Sequence, residues 1–581
     1  MTVPTDHNTS FRSSEWFSGD DEVALSHRVV MASVGARIEA DNEKPMIGIA
    51  DSSSELNPCN LPLRDFIPEI KRGIEDAGGI PLTFPVMSLG EDLMKPSAML
   101  YRNLLSIEVE EYLRSYPIDG VILLANCDKS VPGSLMGALS ADLPTLMFTA
   151  GARPPAIFKG KRVGTGTDLW RMWSDHRTKK ISDEEWREFE SCLSCGLGSC
   201  NTMGTASSVA MMVETLGLTL PGTSTLPENS AARRKAAYDS GVRIVEMTKV
   251  GITPSKILTP ASFRNAMRVL HASGGSTNAI LHLIALSGRV DGQLELSHIN
   301  SLGEGLCVIA DVEPSGSALI QEFDQAGGLP VLIAQLGEIF ELDEETLIGK
   351  KWREIVAGLE PASNVIRSLS DPIYSAAAFK VLYGSLAPNG SVMKISAASK
   401  ELFSHIGPAV VFHGYEDMRK RIDDPDLEVS RDSVLVLKGC GAVGVPGMPE
   451  WGMIPIPKKL LEMGVTDMVR ISDARMSGTS FGTCVLHVSP EAAIGGPLAI
   501  VRDGDFIEID VEKGVIDLCI EKEELAERLA KWVPYISEHL RGWPALYQSH
   551  VLQADQGCDL DFLRPTSKEE RRFVPPVVGR S

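Results

Sequence analysis

The stretch "DGVILLANCDKSVPG" (residues 119–133) has the pattern of a buried strand that ends on three reactive side chains. Its first half is an apolar run, and a proline and a glycine follow the polar residues. Side chains that are adjacent on a strand point to opposite faces. Beyond the end of the strand, however, Cys127, Asp128 and Lys129 can all turn toward one site. The stretch therefore predicts both a central strand and a chemical site at its carboxyl end.

Three more apolar runs lie around this strand. From about residue 45 to residue 290 they alternate with segments whose apolar residues have helical spacing. Such an alternation is typical of a parallel sheet covered by helices. We therefore predict an α/β domain, with residues 230–290 and 317–358 mostly helical. Its further strands are "PMIGIA" (45–50), "IPLTFPV" (80–86) and "LPTLMFTAG" (143–151).

The pattern changes after about residue 385. Short apolar runs separated by Gly, Pro and Asp follow one another, among them "DSVLVLKG", "DMVRISD" and "TCVLHVS". Such a series favours a barrel or a sandwich. We predict an N-terminal α/β domain over residues 1–385, which carries most of the site. A C-terminal, mainly β-barrel domain over residues 386–581 follows, with a helical tail from about residue 522.

The composition is that of an ordinary soluble globular protein. The chain has 581 residues, of which 43% are hydrophobic and 23% are charged, and its formal net charge is −21. This charge argues against nucleic acid or an anionic membrane as a partner. No apolar run reaches 18 residues, and the polar N-terminus lacks the apolar core of a signal peptide. Together with ten scattered cysteines, these features predict reduced thiols in the cytoplasm.

Several cysteines are candidate metal ligands. Cys59 and Cys127 each follow a predicted parallel strand, and ligand sites in open α/β sheets lie outside the carboxyl ends of the strands. Cys192, Cys195 and Cys200 form a C-x-x-C-x-x-x-x-C pattern, which by itself is compatible with zinc or with iron–sulfur. The remaining cysteines are interpreted as small buried apolar residues: Cys307, Cys440, Cys484, Cys519 and Cys558.

The acidic and hydroxyl residues have weaker patterns. Asp128 can bind magnesium, which prefers oxygen ligands. Lys129 either pairs with Asp128, the reading that the spacing alone favours, or reacts with carbon dioxide to give a carbamate with oxygen donors. Two loops could equally be turns or sites: "GVPGMPEWG" (444–452), with Glu450, and "ISDARMSGTSFG" (471–482), with Ser477 and Ser480. In "HASGGSTNAILHL" (271–283), a turn opens a helix whose free N–H groups can hold an anion.

Together these motifs resemble a known family. "CDKSVPGSLMGA" and "VRISDARMSGTS" are similar to the two signatures of the dihydroxyacid and phosphogluconate dehydratases. "NPCN", "SCNTMGTAS", "GGSTNAILHL", "GVPGMPE" and "HVSPEAAIGGP" also match, in the order of the family. The resemblance spans about residues 30 to 565, and several motifs in the right order make it specific.

The resemblance implies two cofactors and a base. An iron–sulfur cluster would be held by Cys59, Cys127 and Cys200, with Cys192 and Cys195 not among its ligands. A magnesium ion would be held by Asp128, a carbamylated Lys129, Glu450 and an acid after the third family strand, which is Glu91 here, with Asp92 as second choice. The base would be Ser477, with Ser480 in reserve.

The resemblance also indicates a branch of the family. Where branched-chain dihydroxyacid enzymes usually read "SDGIAMGHEGM", this chain has "SLGEDLMKPSAMLYRN". The "LYRN" form, "SEWF" and "DLDFL" resemble the sugar-acid dehydratases, in which a 2Fe–2S cluster is commoner than 4Fe–4S. The expected reaction is dehydration of an aldonate, a pentonate such as L-arabinonate, to the 2-keto-3-deoxy acid, by a homodimer or homotetramer. The alternatives are a branched-chain dihydroxyacid dehydratase, an iron–sulfur electron-transfer protein and a structural-zinc module.

Overall fold

The N-terminal half of the chain is built around a small parallel sheet. The computed structural model describes residues 11–193, 196–565 and 576–579. The sheet has the order β2-β1-β3-β4, and each neighbouring pair is parallel. The four strands fall on the four predicted apolar runs, so the predicted α/β architecture is confirmed. They are β1 (Met46–Asp51), β2 (Ile80–Pro85), β3 (Gly120–Leu124) and β4 (Thr145–Phe148); a two-stranded hairpin follows, β5 (Ala156–Phe158) and β6 (Lys161–Val163).

Helices cover this sheet and form most of the N-terminal half. The first group is α1 (Ser14–Phe17), α2 (Glu22–Ser33), α3 (Ile67–Asp76), α4 (Met99–Ser115), α5 (Ser130–Ala141), α6 (Thr167–Arg177), α7 (Asp183–Leu193) and α8 (Thr205–Thr215). The second is α9 (Ala231–Val250), α10 (Pro254–Ile257), α11 (Pro260–Ser273), α12 (Thr277–Arg289), α13 (Ile299–Leu302), α14 (Ile320–Gln325), α15 (Gly328–Leu336) and α16 (Trp352–Ile355). Residues 317–358 are less helical than predicted. Gly327 and Gly337, with φ of 114° and 55°, take left-handed conformations at the two ends of α15.

The C-terminal half is a nearly closed, barrel-like sheet, as predicted. Its strand order is β14-β13-β9-β10-β11-β12-β8-β7; β9 to β12 are parallel, and the outer pairs are antiparallel. Tyr383, just after β7, donates a backbone hydrogen bond to Gly514, just before β14, and accepts one from Ile516 within β14, which brings the two edges together. The strands are β7 (Phe379–Leu382), β8 (Gly390–Lys394), β9 (Ser404–His413), β10 (Val434–Lys438), β11 (Arg470–Ser472), β12 (Cys484–Ser489), β13 (Phe506–Asp510) and β14 (Val515–Leu518).

The edge strand β7 is a difference from the prediction. It precedes residue 386 in the chain yet belongs to the C-terminal sheet. The domain boundary itself stays a prediction. The helices of this half are α17 (Tyr415–Arg421), α18 (Lys458–Glu462), α19 (Lys522–Ala530) and α20 (Gly542–His550).

The tail that begins with α20 returns to the N-terminal half. Trp543 Nε1 donates to the Leu100 carbonyl at 2.9 Å. Arg289 Nε donates to Asp559 Oδ2 at 2.7 Å, and both side chains are completely buried. The tail therefore connects the two halves of the molecule. Within the described residues, no helix combines the length and the apolar character that a membrane crossing requires.

Glycines allow α5, the helix that follows the opening stretch, to pack closely on α4. A Cβ atom added at Gly137 would lie 2.3 Å from the Ser106 carbonyl oxygen, and one added at Gly133 would lie 3.0 Å from the Arg102 carbonyl oxygen. Because α5 begins directly after Lys129, this close packing also fixes the position of the site residues at its start.

We expect Gly137→Ala to destabilise the protein, because the added methyl group must push α5 away from α4. Overpacking of this kind costs about 1–3 kcal/mol of the free energy of unfolding. The measurement is the thermal midpoint, with Gly579→Ala as control, since a Cβ there meets no described atom within 4 Å. A Gly137→Ala midpoint equal to that of the control would contradict this account.

Candidate active site

The predicted site residues gather at the carboxyl edge of the parallel sheet. The chain passes from β1 outward to β2 and from β3 outward to β4 in the opposite direction, so the order reverses between β1 and β3. Ligand sites of open α/β sheets lie at such a reversal. Cys59 follows β1, Glu91 follows β2 and Cys127 follows β3. The topology therefore brings them to one crevice.

Two buried asparagines tie the first cysteine-bearing loops together. Asn60 Oδ1 accepts hydrogen bonds from the backbone N–H groups of Asn126 at 3.1 Å and Cys127 at 2.8 Å. Asn126 Nδ2 donates to the carbonyl oxygens of Cys59 at 2.8 Å and Gly151 at 2.9 Å. These bonds fix the backbone of both cysteines, so their thiols are presented by rigid loops.

The loop before Cys200 is fastened to the same place by backbone hydrogen bonds. Gly198 N donates to the carbonyl oxygen of Pro58, the residue before Cys59, at 3.1 Å. Ser199 N donates to the Gly151 carbonyl at 3.0 Å. Cys200 is therefore brought toward Cys59 although the two residues are far apart in the sequence.

The three thiols influence one another's protonation. The Cys127 thiol donates to Cys59, which holds the pKa of Cys59 below its ordinary value, and the same bond together with burial raises the pKa of Cys127. Burial raises the pKa of Cys200 to about 12. Arg153 Nη2 lies 4.0 Å from Cys59 Sγ and interacts with both Cys59 and Cys200. Since thiolates are the ligand form of cysteine, this cation favours the charge that a metal cluster requires.

A buried lysine surrounded by carboxylates lies beside the cysteines. Lys129 Nζ contacts Asp128, lies 2.8 Å from Glu450 Oε1 and lies 3.1 Å from Glu91 Oε2. Burial alone lowers the pKa of Lys129, but the charges of Asp128, Glu450 and Glu91 outweigh it and hold that pKa above its ordinary value. Burial raises the pKa of Asp128. For Glu450, the charges of Lys129 and Arg475 overcome burial and lower the pKa to about 2.

These carboxylates suit a hard cation. Among the described residues, Glu91, Asp128 and Glu450 form the one group of three possible ligands whose donor atoms lie within 4.8 Å of one another. Glu91 Oε2 is buried, and it faces Lys129 Nζ at 3.1 Å without the geometry of a hydrogen bond. With all three acids ionised, Lys129 and Arg475 balance two of the three negative charges. Oxygen donors with excess negative charge fit Mg²⁺.

The cysteines fit a different kind of group. Their three sulfur atoms do not meet the same 4.8 Å limit, although all three residues are described. A single tetrahedral zinc ion, with Zn–S bonds of about 2.3 Å, draws its sulfurs closer together than that. A cluster of several iron and sulfide atoms spans a wider set, and soft thiolates are its usual ligands. The donor set therefore fits an iron–sulfur cluster better than one zinc ion.

Arg475 organises the acidic side of the site, a role that the sequence did not assign. Its Nη1 donates to Glu450 Oε1 at 2.9 Å, its Nη2 to Ser97 Oγ at 2.9 Å, and its Nε to the Met448 carbonyl at 2.7 Å. Ser97 Oγ in turn donates to Glu91 Oε1 at 2.8 Å. One guanidinium thus links acids from both halves of the chain. The only signal for it was its place inside the motif that contains Ser477.

Asn278, in the first turn of α12, is a second residue whose role the sequence did not reveal. Its Nδ2 donates to Glu450 Oε1 at 2.7 Å and to the Met476 carbonyl at 3.1 Å. It therefore connects the acids with the loop that carries Ser477. The sequence had singled out the start of this helix for its backbone N–H groups, not for this side chain.

Ser477 lies on the loop after β11, beside the starts of two helices. Its Oγ is 3.0 Å from Thr479 Oγ1 and 3.4 Å from the Thr479 backbone nitrogen. A Cβ atom added at the next residue, Gly478, would lie 2.5 Å from Thr205 N and 2.7 Å from Ser276 Oγ. Thr205 opens α8, and Ser276 caps α12. The positive ends of two helices therefore face this loop.

Of the other candidates, Ser480 and Asp92 lie near the site, Cys192 lies in a separate cluster, and Cys195 lies outside the described residues. Ser480 is buried. Asp92 is exposed, and Glu91, not Asp92, is in contact with Lys129. Cys192, on α7, packs in a small apolar cluster with Phe158 and Phe189. Cys195 lies outside the described residues.

Comparison with known proteins assigns the family. Residues 44–355 match the model of the dihydroxy-acid/6-phosphogluconate dehydratase N-terminal domain, and residues 364–558 match that of the C-terminal domain. The chain belongs to this dehydratase family. It is therefore an enzyme of the hydro-lyase class, and its sugar-acid branch is confirmed by the relatives below.

Three similar proteins cover nearly the whole chain. A putative dehydratase, IlvD1, of Rhizobium meliloti (strain 1021) is 47% identical over 97% of this chain and 99% of its own. A 6-deoxy-6-sulfo-D-gluconate dehydratase of Pseudomonas putida is 45% identical over 95% and 96%. An L-arabinonate dehydratase of Rhizobium leguminosarum bv. trifolii (strain WSM2304) is 44% identical over 95% and 96%. All three similarities extend through both halves of the chain.

Proposed function

We propose that this enzyme dehydrates a pentonate such as L-arabinonate to the 2-keto-3-deoxy acid. The observation that supports it most is the group of three carboxylates, Glu91, Asp128 and Glu450, whose donor atoms lie within 4.8 Å of one another beside the Cys127 thiol. The name of one relative, L-arabinonate dehydratase, supports the choice of substrate. A second relative is named for a sulfonated hexonate, which is the competing substrate.

Two cofactors are part of the proposal. Cys59, Cys127 and Cys200 would hold an iron–sulfur cluster, 2Fe–2S in preference to 4Fe–4S. Glu91, Asp128, Glu450 and a carbamylated Lys129 would hold Mg²⁺. When bound, these groups supply Lewis acidity beside the substrate's carboxylate and hydroxyl oxygens, which helps both loss of the C2 proton and departure of the C3 hydroxyl.

The proposed carbamate, which the resemblance to the family implies, would change the charge of the acidic side. Lys129 Nζ would lose one proton to become a neutral amine, attack carbon dioxide to form an N–C bond and release a second proton. A cation would thus be replaced by a carbamate anion with two oxygen donors. Those oxygens would lie among three carboxylates only if a metal ion balanced the added negative charge, so carbamate and Mg²⁺ belong together. A high-resolution density map of the magnesium-loaded enzyme should show three further atoms on Nζ, and an unmodified amine would contradict this.

Ser477 is the proposed base at C2. A serine hydroxyl accepts the proton only as an alkoxide that its surroundings stabilise. The N–H of Thr479 donates to it, the positive ends of α8 and α12 face the adjacent Gly478, and both favour a negative charge on this loop. Loss of the C2 proton and of hydroxide from C3 leaves an enol, which tautomerises to the keto acid. The products are the keto acid and water, so no nicotinamide is needed.

A homo-oligomer, a dimer or a tetramer, completes the proposal. Apolar side chains are exposed on α2, with Leu25, Val29 and Val30 at 57%, 61% and 58%. In the segment between α19 and α20, Val533, Ile536 and Leu540 are exposed at 75%, 84% and 90%. Apolar surface of this kind is typical of contacts with another chain. Light scattering at micromolar concentration should give at least twice the chain mass, and a monomer would refute this.

We expect the highest kcat/KM with L-arabinonate in an assay of keto-acid formation. The panel should include D-xylonate, 6-deoxy-6-sulfo-D-gluconate and a branched-chain 2,3-dihydroxy acid. A higher value for the sulfonated hexonate or for the branched-chain acid would reassign the substrate. No turnover of any of them, with a redox-active cluster present, would favour the electron-transfer alternative.

We expect Cys59→Ser to remove most of the protein's iron, because a hydroxyl is a poor ligand for an iron–sulfur cluster. Cys192→Ser is the matched control and should keep it, since Cys192 packs with Phe158 and Phe189. Iron analysis of anaerobically purified protein is the measurement. If iron is retained in Cys59→Ser but lost in Cys192→Ser, then Cys192 and not Cys59 is a ligand of the cluster.

We expect Ser477→Ala to lower kcat by at least about a hundredfold, the lower end for loss of a general base. Exchange of the substrate's C2 proton with solvent should disappear, while iron content stays unchanged. Ser480→Ala is the control for the same loop. Equal loss of C2 exchange in Ser480→Ala, with normal turnover in Ser477→Ala, would move the base to Ser480.

A further inference from the structure

The loop that carries Glu450 has no helix or strand of its own and depends on buried carboxylates. We define the Glu450 loop as residues 439–452. Glu491, just after β12, accepts hydrogen bonds from Val443 N at 2.9 Å and Gly444 N at 2.9 Å. A Cβ atom added at Gly441 would lie 2.3 Å from Glu491 Oε2, so the loop wraps closely around this carboxylate.

A second acid holds the beginning of the same loop. Asp473 accepts hydrogen bonds from Gly439 N at 3.0 Å and Cys440 N at 2.8 Å, and also from Ala492 N at 3.0 Å. Ala492 is the neighbour of Glu491 in the sequence. The two acids thus fasten the Glu450 loop to the segment after β12 from both sides.

The tail of the chain continues this support. Gln553 Nε2 donates to Glu491 Oε1 at 2.9 Å, and Glu491 N donates back to Gln553 Oε1 at 2.9 Å. Gln548 Nε2 donates to the Val443 carbonyl at 2.6 Å. The tail therefore touches the Glu450 loop directly and also through Glu491.

The tail is itself anchored on the N-terminal half, where the other acids lie. Arg102 Nη2, on α4, donates to the carbonyl oxygens of Gly557 at 2.9 Å and Cys558 at 2.8 Å. Asp559 is paired with Arg289 of α12, and both are completely buried. The tail therefore spans from the helices of the N-terminal half to the Glu450 loop of the C-terminal half.

A carboxylate can accept all of the N–H groups that point at Glu491. Its oxygens receive N–H groups from Val443, Gly444 and Gln553. Burial and the charge of Asp473 raise the pKa of Glu491 to about 7, while these N–H donors act in the opposite direction. A glutamine there would turn an amide N–H group toward one of these donors and lose that hydrogen bond.

We propose that Glu491, held by Gln553 of the tail, is a positioning residue that presents Glu450 to the metal ion. The tail would then support the active site through the Glu450 loop, without touching the substrate or the metal ion itself. This inference deepens the proposed function and rests on its assignment of Mg²⁺ to Glu450. It goes further by making magnesium affinity depend on residues 548–559.

The test compares Mg²⁺ binding in three variants of the full-length, cluster-containing enzyme by isothermal titration calorimetry. Glu491→Gln should raise the magnesium Kd at least about threefold, because the Glu450 loop loses at least one of the hydrogen bonds that hold its backbone. Gln553→Ala should raise it by at least about threefold, because one of the hydrogen bonds to the carboxylate is lost. Cluster absorbance should not change in either, because the cysteines belong to the N-terminal half.

Glu214→Gln is the matched control. Glu214 is a buried acid that accepts from Gly222 N at 2.6 Å and Ser224 N at 2.8 Å, in a loop without site residues. It should lower the thermal midpoint and leave the magnesium Kd unchanged. An equal rise of Kd in Glu214→Gln and Glu491→Gln would mean general destabilisation and would overturn the proposal. If Glu491→Gln does not fold, the magnesium Kd of Gln553→Ala tests the proposal, and an unchanged Kd there overturns it.

Hydrogen exchange of residues 439–452, measured without added metal, separates this inference from the function on which it rests. Exchange should be at least about threefold faster in Glu491→Gln and Gln553→Ala than in the unmodified enzyme. Unchanged exchange overturns the positioning role, whatever the enzyme acts on. Faster exchange in an enzyme that does not bind Mg²⁺ would refute the metal assignment, and with it the part of this proposal that concerns the metal.

Discussion

The contact between Lys129 and the three carboxylates is the constraint on which the rest of the site depends. A buried ammonium without partners would be strongly destabilising, so Asp128, Glu91 and Glu450 must stay close to it. Lys129 sits at the start of α5, and the glycines of that helix let it pack tightly on α4. The position of the lysine is therefore determined by helix packing. The three carboxylates are then held close to the lysine by the attraction between opposite charges.

Two neighbouring residues divide the crevice into a sulfur side and an oxygen side. Cys127 contacts Cys59, while Asp128 contacts Lys129, and Cys127 Sγ is still only 3.4 Å from Asp128 Oδ1. This follows from the end of β3, where the chain leaves the alternation of a strand and both side chains can reach one crevice. Two kinds of ligand can therefore stand side by side, which suits a reaction that removes a proton and a hydroxyl from adjacent carbons.

The oxygen side is completed by the C-terminal half and could not form without it. Glu450 and Arg475 come from loops of the barrel-like sheet, and Asn278 connects them to α12. The tail adds a further connection, because it binds both α4 and the segment around Glu491. Separation of the two halves would thus remove Glu450 from Lys129, as well as the loop of Ser477. The complete site therefore forms only when the two halves of the chain are packed together.

The sequence by itself determined the parallel sheet, the barrel-like second half, the family and the motifs that contain the candidate metal ligands and the candidate base. These features are local, since an apolar run, a strand–helix alternation or a motif is readable within a few residues. It did not reveal β7, the short helices of residues 317–358, or the roles of Arg475, Asn278 and Glu491. Those depend on tertiary structure, because they rest on contacts such as Lys129–Glu450 and Glu491–Val443 between distant parts of the chain. A hydrogen bond between side chains from separate loops has no periodicity, so only the packing of the two halves decides which of many polar residues become partners.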